Sequence, residues 1–445
     1  MVVLRRRLIF WLIKAYIKKS KRILVISFFS GLLIFAALLF GARYLKVLFT
    51  VHRFPVIGVV GSYQKENLPP IVSSRISKGL TSVGTDGKIT PELSESYSIK
   101  DDGRQYIFKL KPNLSFSDGS VFESTNINYS FSDVAIERPD KRTIVFKLKD
   151  KYSPFLATVS KPVFKKGLIG VGDYFIKSIE VNGNFVQSMI LGLNKNSLST
   201  IKFVFYPTEK SLKTAFALGE VTEASGLSSF DFKNTSFDKF NSTTIKKTVD
   251  HNHLVTLFYN VTDESLSDRK LRLALNYALP ENFGYGLKAY LPYYPDSIYF
   301  NSDMPVRHQD FEHAKLLLPD SKTKLTLTTL KKYTRVAKEI VKSWEKIGIS
   351  TKVIEVESVP DKYQIFLSDF NLPSDPDQYV LWHSAQSSNI TKYKNLRIDK
   401  LLEDGRKTIN TEERQKIYTD FQRFLLDDMP ASFLYFPYSY DIIRS

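Results

Sequence analysis

The sequence predicts an α/β fold of two lobes preceded by one N-terminal transmembrane helix. An unbroken apolar run lies near the N-terminus, at residues 23–42. The roughly 400 residues after it are too many for one small core and suit two lobes of ordinary domain size. From Asp268 onward, helical patterns alternate with strand patterns, which is typical of α/β proteins.

The apolar run from Ile23 to Ala42 carries no charged side chain. Twenty helical residues at 1.5 Å each span about 30 Å, the thickness of the hydrocarbon core of a bilayer. Residues 1–22 are basic, so the positive-inside rule places the N-terminus in the cytoplasm and the main domain outside. We expect a single-pass cell-membrane protein in which residues 43–54 form a juxtamembrane linker. Cleavage of the run as a signal peptide is the alternative.

The formal net charge of +17 does not indicate a nucleic-acid partner. Ten of the 63 Lys and Arg residues precede residue 47, where there is no acidic residue, which leaves 53 basic against 46 acidic side chains. The N-terminal excess is explained by membrane topology and by attraction to anionic lipids. The chain has no cysteine, which excludes disulfides, a lipid-modified N-terminal cysteine and a thiol nucleophile.

Extended segments dominate the first predicted lobe. Pro55 to Tyr63 is typical of a buried strand that leads into a loop, and residues 104–111 and 143–149 alternate apolar with polar side chains. Residues 201–206 form a further extended run, followed by a short helix over residues 211–219. We therefore expect half-buried antiparallel strands in this lobe.

From Asp268 onward the chain shows a βαβ texture that indicates a largely parallel sheet. Its long helix spans residues 334–347, with one apolar face and Gly348 placed to end it. Amphipathic helices are expected near residues 398–406 and 411–427, and a strand follows at Ser432 to Asp441.

An ordered set of short motifs runs along the chain after residue 55. Its members are Gly79-Leu80, Asp86 to Pro91, Phe108 to Leu110, Phe116 to Gly119, Leu271 to Leu279, Glu345 to Val353 and Asp375 to Ser384. Together they resemble the bacterial extracellular solute-binding proteins of family 5, the dipeptide- and oligopeptide-binding components of ABC importers. The resemblance covers nearly the whole chain outside the membrane segment.

The resemblance implies a periplasmic-binding-protein-like fold of type II, in which two hinged lobes close on a peptide or similar small solute. The solute would pass to ABC permease and ATPase subunits, and the protein would act as a monomer without catalysis or a cofactor. Lobe I would comprise residues 55–253 with a return strand at 433–445, and lobe II residues 254–432. The hinge crossing would fall near His253 to Asn260. A membrane-anchored sensor, or a binder of metal or another solute, is the alternative.

Candidate ligand-binding residues follow from the loop after the strand YQIFLS, because loops at strand ends bind ligands in open α/β sheets. Asp375 and Asp377 could instead cap the next helix, and Trp382 could be core. Tyr63 follows the first strand, and Asn260 offers an amide at the expected crossing. The full candidate set is Tyr63, Tyr259, Asn260, Asn371, Ser374, Asp375, Asp377, Trp382 and His383. The resemblance implies that peptide binders place an aspartate at the position of Leu372, to hold a free α-amine.

The sequence offers no motif for catalysis and no convincing one for a metal. It contains no G-x-S-x-G, H-E-x-x-H or G-x-x-x-x-G-K-[ST] segment. His251 and His253 would share one face of a strand, but Asp250 would point to the opposite face. His308 and His313 are too far apart around a helix to pair. We therefore expect a binding protein with no resident metal.

Overall fold

The computed structural model describes residues 10–11, 14–22, 25–35, 54–194, 196–318 and 323–444. The chain divides into two compact units, Met1–Phe54 and Pro55–Ser445. Within the first unit, residues 10–11, 14–19, 21–22 and 25–35 are helical. The described part of the chain contains no helix that is long and apolar enough to cross a membrane.

Several sequence predictions for the N-terminus fall outside the described residues. The predicted span at 23–42 includes residues 23, 24 and 36–42, whose placement is not described. The same holds for most of the basic segment 1–22 before residue 14, and for the linker 43–54 except Phe54.

A twelve-stranded sheet dominates the second unit, with smaller sheets beside it. Strands β1 to β14 are Val56–Val60, Thr81–Val83, Ile89–Pro91, Ser94–Lys100, Gln105–Leu110, Val134–Asp140, Thr143–Leu148, Tyr174–Asn182, Phe185–Leu193, Asn196–Tyr206, Glu223–Leu227, Asp231–Phe232, Thr235–Ser236 and Thr243–Val249. Strands β15 to β20 are His253–Tyr259, Gly286–Lys288, Lys324–Leu330, Ser350–Val356, Ile365–Asn371 and Ala431–Arg444. A separate four-stranded antiparallel sheet has the order β4-β5-β7-β6, and β2 and β3 form a small hairpin.

The last strand, β20, joins two parts of the large sheet. Its first residues, from Ala431 to Pro437, pair with β15 and β16, whereas Tyr438 to Arg444 pair with β14. The first sheet part contains β1, β8 to β11 and β14, and the second contains β15 to β19. The turn at residues 250–252 connects β14 to β15 beside the midpoint of β20. Two chain segments therefore run between the two sheet parts.

Helices α1 to α9 cover the sheets. Their bounds are Pro70–Ile76, Phe155–Thr158, Glu209–Leu218, Arg269–Tyr277, Phe311–Leu317, Thr334–Glu345, Tyr379–Trp382, Leu396–Lys407 and Thr411–Asp428. Short 3-10 helices lie at Lys65–Asn67, Asp101–Gly103, Ser124–Asn126, Phe237–Lys239 and Lys331–Tyr333. Side chains cap several of these helices; Asn410, for example, accepts a hydrogen bond from the Glu413 amide at the start of α9.

The α6 helix shows how the predicted apolar face forms the core. Val336, Ile340 and Trp344 are buried against the second sheet part, and Trp344 Nε1 donates a hydrogen bond of 3.0 Å to the Leu275 carbonyl of α4. The helix ends at Glu345, and Gly348 has φ of +83°, a left-handed conformation that glycine adopts without strain.

The second sheet part is less parallel than the sequence predicts. Strands β17, β18 and β19 are mutually parallel, but β15 pairs antiparallel with both β19 and β20. Alternating helix and strand patterns identify the parallel members. They do not identify antiparallel neighbours that arrive from distant parts of the sequence.

Candidate functional site

A cleft opens between the β2–β3 hairpin and the loops of the second sheet part. Its free volume, with the open mouth and the solvent in it included, is about 670 Å³. The lining residues are Val83, Gly84, Thr85, Gly87, His251, Asn252, Pro292, Tyr293, Tyr294, Ser297, Tyr299, Leu372, Pro373, Ser374, Asp375, Pro376 and Gln378. Beside the cleft, the Ile298 amide donates a 2.9 Å hydrogen bond to the Asp86 carbonyl, which joins its two walls.

The loop from Leu372 to Gln378 forms one wall because it leaves β19, a central strand, at its carboxyl end. The Leu372 amide donates to the Asn252 carbonyl at 2.7 Å, which ties the loop to the turn between β14 and β15. Asp375 Oδ1 accepts from the Asp377 amide at 3.0 Å, and Asp377 Oδ1 accepts from the Tyr379 amide at 3.0 Å. The two aspartates thus fix the backbone that approaches α7, although the N-cap residue of that helix is Gln378 and makes no side-chain capping bond.

Asp375 and Arg414 form a buried ion pair at the base of the cleft. Arg414 Nη1 and Nη2 donate to Asp375 Oδ2 and Oδ1 at 2.8 and 2.5 Å, and the two side chains are only 6% and 7% exposed. The nearby carboxylate raises the pKa of Arg414 despite the opposing effect of burial. This bidentate ion pair holds the loop from Leu372 to Gln378 in place, and the guanidinium contacts both carboxylate oxygens of Asp375.

Asp377 has a different partner, on helix α8. Arg406 Nε donates to Asp377 Oδ2 at 2.8 Å, and the guanidinium lies 4.2 Å from the Tyr379 ring centre and 5.4 Å from that of Tyr152. Burial raises the pKa of Asp377, and the charge of Arg406 opposes that effect. Asp377 does not line the cleft.

Three tyrosines from residues 293–299 lie beside this loop, on the same side of the cleft. Tyr293 Oη donates to the Pro376 carbonyl at 2.9 Å, and Gln378 Nε2 donates to the Pro292 carbonyl at 2.6 Å, so the two segments stabilise each other. Desolvation by burial raises the pKa of Tyr293, Tyr294 and Tyr299, and all three phenols stay protonated at neutral pH.

These tyrosines are not among the candidates predicted from the sequence. Their segment, LPYYPDSIYF, is rich in aromatic residues and proline but has neither helical nor strand periodicity. This composition was the one signal that could have identified the segment. Gln378, which also lines the cleft, lies in the loop predicted to bind the solute, whereas His251 was considered only as a metal ligand and Asn252 was not predicted.

Of the candidate residues, the structure brings Ser374 and Asp375 together in the cleft lining. Asn371 is exposed at the end of β19. Tyr63 packs on Phe205 with ring centres 5.2 Å apart, and its hydroxyl donates to the Val60 carbonyl at 2.9 Å. These last two side chains do not belong to the lining.

Four further candidates lie in the core or in turns. Tyr259 is fully buried, and its hydroxyl is 2.9 Å from Ser432 Oγ. Asn260 Nδ2 donates to the Tyr363 carbonyl at 3.0 Å, and its Oδ1 accepts from Thr262. Trp382 is 1% exposed and packs on Phe258 and Phe370. His383 is buried and stacks on Tyr379 with ring centres 4.1 Å apart.

One geometric expectation is wrong, and it concerns Asp250. His253 Nδ1 lies 2.7 Å from Asp250 Oδ2 because Asp250 belongs to a turn and is not in line with the strand. Over the described ranges, no three His, Asp or Glu side chains lie close enough together to hold a metal ion.

Comparisons with known proteins show a family and a fold to which the chain is similar. The family model described as "Bacterial extracellular solute-binding proteins, family 5 Middle" matches residues 88–392. The chain is 20% identical to a probable D,D-dipeptide-binding periplasmic protein of Escherichia coli (strain K12), covering 80% of each chain.

Two solved structures share the fold. The ABC transporter substrate-binding protein CtaP of Listeria monocytogenes has a TM-score of 0.74 at 23% identity, covering 88% of this chain and 93% of that one. NikZ of Campylobacter jejuni, solved with Ni(L-His), has a TM-score of 0.71 at 20% identity, with coverages of 88% and 94%. At these identities, the structural similarity establishes the two-lobed α/β fold alone.

Proposed function

Because this chain belongs to the bacterial extracellular solute-binding proteins of family 5, we propose that it captures peptides or similar small solutes for an ABC importer. The solute binds in the cleft between two hinged lobes and is delivered to permease and ATPase subunits. The protein acts by binding, without catalysis.

The cleft is the observation that carries this proposal. Its walls come from the β2–β3 hairpin on one side and from residues 292–299 and 372–378 on the other. A solute that contacts both walls binds the closed arrangement better than the open one. Its differential affinity therefore shifts the population toward closure, which a permease can recognise.

We propose that lobe I comprises residues 55–249 and the end of β20 from residue 438, and lobe II residues 253–437. These bounds differ from the expected ones, 253 and 433, because Ala431 to Pro437 pair with β15 and β16. The turn at 250–252 and the middle of β20 near residues 436–438 are the two crossings. Two adjacent crossings form a natural hinge, because small φ/ψ changes there move each lobe as a rigid body.

A membrane anchor completes the proposal. The uncharged run at 23–42 and the basic residues before it support a single span with a cytoplasmic N-terminus and an extracytoplasmic domain. Deleting residues 1–42 should release the protein from the membrane fraction, whereas the full chain should resist extraction with alkaline carbonate. Release of the full chain by carbonate would contradict the anchor and leave solute capture untouched.

Native mass spectrometry of the gently purified full chain in detergent tests solute capture. We expect a set of bound short peptides, and small-angle scattering should show compaction when such peptides are added back. A bound metal would favour the metal-binding alternative. Binding without any effect on a neighbouring permease and ATPase would favour the sensor. No bound solute and no compaction across a broad peptide panel would refute the proposal.

A further inference from the structure

The lining of the cleft carries little free charge. Asp375 is the one acidic residue among the described lining residues, and Arg414 occupies both of its carboxylate oxygens. The Asp377 amide also donates to Oδ1. These three donors take up three of the roughly four lone-pair sites of the carboxylate, and the guanidinium neutralises its charge.

Two carboxylates near the lining are already paired with cationic or hydrogen-bonding groups of the protein. The Asp86 carboxylate accepts from the Lys88 amide at 3.0 Å and lies 3.5 Å from Lys88 Nζ. Asp250 is paired with His253, as described above. Asp296, between Tyr294 and Ser297, is exposed and does not belong to the lining. The described lining therefore holds no unpaired carboxylate to receive an ammonium group from a solute.

Uncharged groups, in contrast, are available along the cleft. Five lining residues have side chains that make none of the described hydrogen bonds: Thr85, His251, Asn252, Tyr294 and Ser374. They offer hydroxyl, amide and imidazole groups, the partners that backbone amides and hydroxyls of a solute need. Tyr294 adds an apolar ring surface, and His251 lies against it with ring centres 5.4 Å apart.

We infer that the cleft holds its solute through uncharged amide and hydroxyl groups and does not recognise a charged peptide terminus. This inference rests on the proposed function and specifies the class of solute. A terminal ammonium carried into the cleft would lose hydration without gaining a carboxylate partner. A terminal carboxylate would meet no lysine or arginine among the described lining residues. Internal peptide groups and blocked peptide ends carry no charge, so they would lose less hydration free energy on entering the cleft.

Four pools of mixed-sequence tripeptides test the inference on the full chain in detergent. One pool has free ends, one is N-acetylated, one is C-amidated and one is blocked at both ends. Retention is measured by native mass spectrometry at equal pool concentration. We expect each blocked pool to be retained at least as well as the free pool, within about threefold. A tenfold or greater loss on blocking either end would overturn the inference while leaving peptide capture intact.

Failure of all four pools to bind would instead refute peptide capture, and the inference with it. A charge-insertion variant shows that the assay can detect recognition of a terminus. Ser374 is exposed in the lining, so Ser374→Asp adds a carboxylate there with little cost to folding. It should favour the free-amine pool over the acetylated pool by about threefold. Ser242→Asp, at an exposed residue outside the lining, should not.

If Ser374→Asp leaves the ratio of the two pools unchanged, the peptides bind elsewhere and the inference fails. Circular dichroism on both variants checks that neither has lost its fold.

Discussion

Replacing Arg414 with methionine should be one of the most costly single changes in the second unit. The substitution keeps much of the side-chain length but leaves Asp375 buried at 7% exposure with no opposite charge. Breaking a buried ion pair by removing one partner costs about 3–5 kcal/mol. The lost hydrogen bond from Arg414 Nε to the Gly405 carbonyl, 2.8 Å long, adds about 1 kcal/mol.

The assay is urea unfolding followed by tryptophan fluorescence, which reports the free energy of unfolding. Arg423→Met is the matched control, because Arg423 lies on the same helix and pairs with Asp420 while 54% exposed. An exposed pair of this kind contributes about 0–1 kcal/mol. We expect a clear separation of the two variants, with Arg414→Met the less stable by several kcal/mol.

The double variant Asp375→Leu/Arg414→Met sharpens the test. It removes both charges, so no uncompensated charge stays buried, and such replacements are often near neutral. It should therefore be more stable than Arg414→Met alone. If Arg414→Met costs no more than Arg423→Met, the assignment of a tightly coupled buried pair is wrong.

Three further predictions concern the backbone, the hinge and closure. Gly170→Ala should lower the free energy of unfolding by about 3 kcal/mol, measured in urea, because its new Cβ would lie 2.1 Å from a carbonyl oxygen at the end of α1. The carboxylate of Asp250 raises the pKa of His253 above 6.5, so the stability from this pair is full below that pH and declines as pH rises through the folded-state pKa. An NMR titration should show this midpoint, and Asp250→Asn should lower it. Arg406→Gln should weaken solute binding several-fold in calorimetry, because Arg406 bridges the cleft loop and Tyr152.

Much of the fold was predictable because its local patterns are strong. The alternation in residues 104–111 and 143–149 became β5 and β7, and the apolar face predicted at 334–347 became the buried side of α6. These periodicities follow directly from which face of an element must leave water. The resemblance to family 5 was confirmed by the family model.

The candidate site was predictable only in part. The loop containing Ser374 and Asp375 could be located because it follows a strand of the open sheet. Trp382 resembled a cleft residue in the sequence, yet it is buried among the rings of Phe258, Phe370 and Phe433. Sequence position places a residue near a loop, but it does not decide whether the side chain faces the cleft or the core.

The sequence by itself determined the strongly periodic helices and strands, the family, and the loop that approaches the cleft, because each depends on local periodicity or on an ordered set of motifs. Only the tertiary structure decided what the cleft offers a solute. Arg414 is 39 residues from Asp375 in the chain, yet it takes up that carboxylate, and Tyr293 reaches across to the Pro376 carbonyl. The free charge and hydrogen-bonding capacity of a site depend on such distant partners, which meet only when the chain folds.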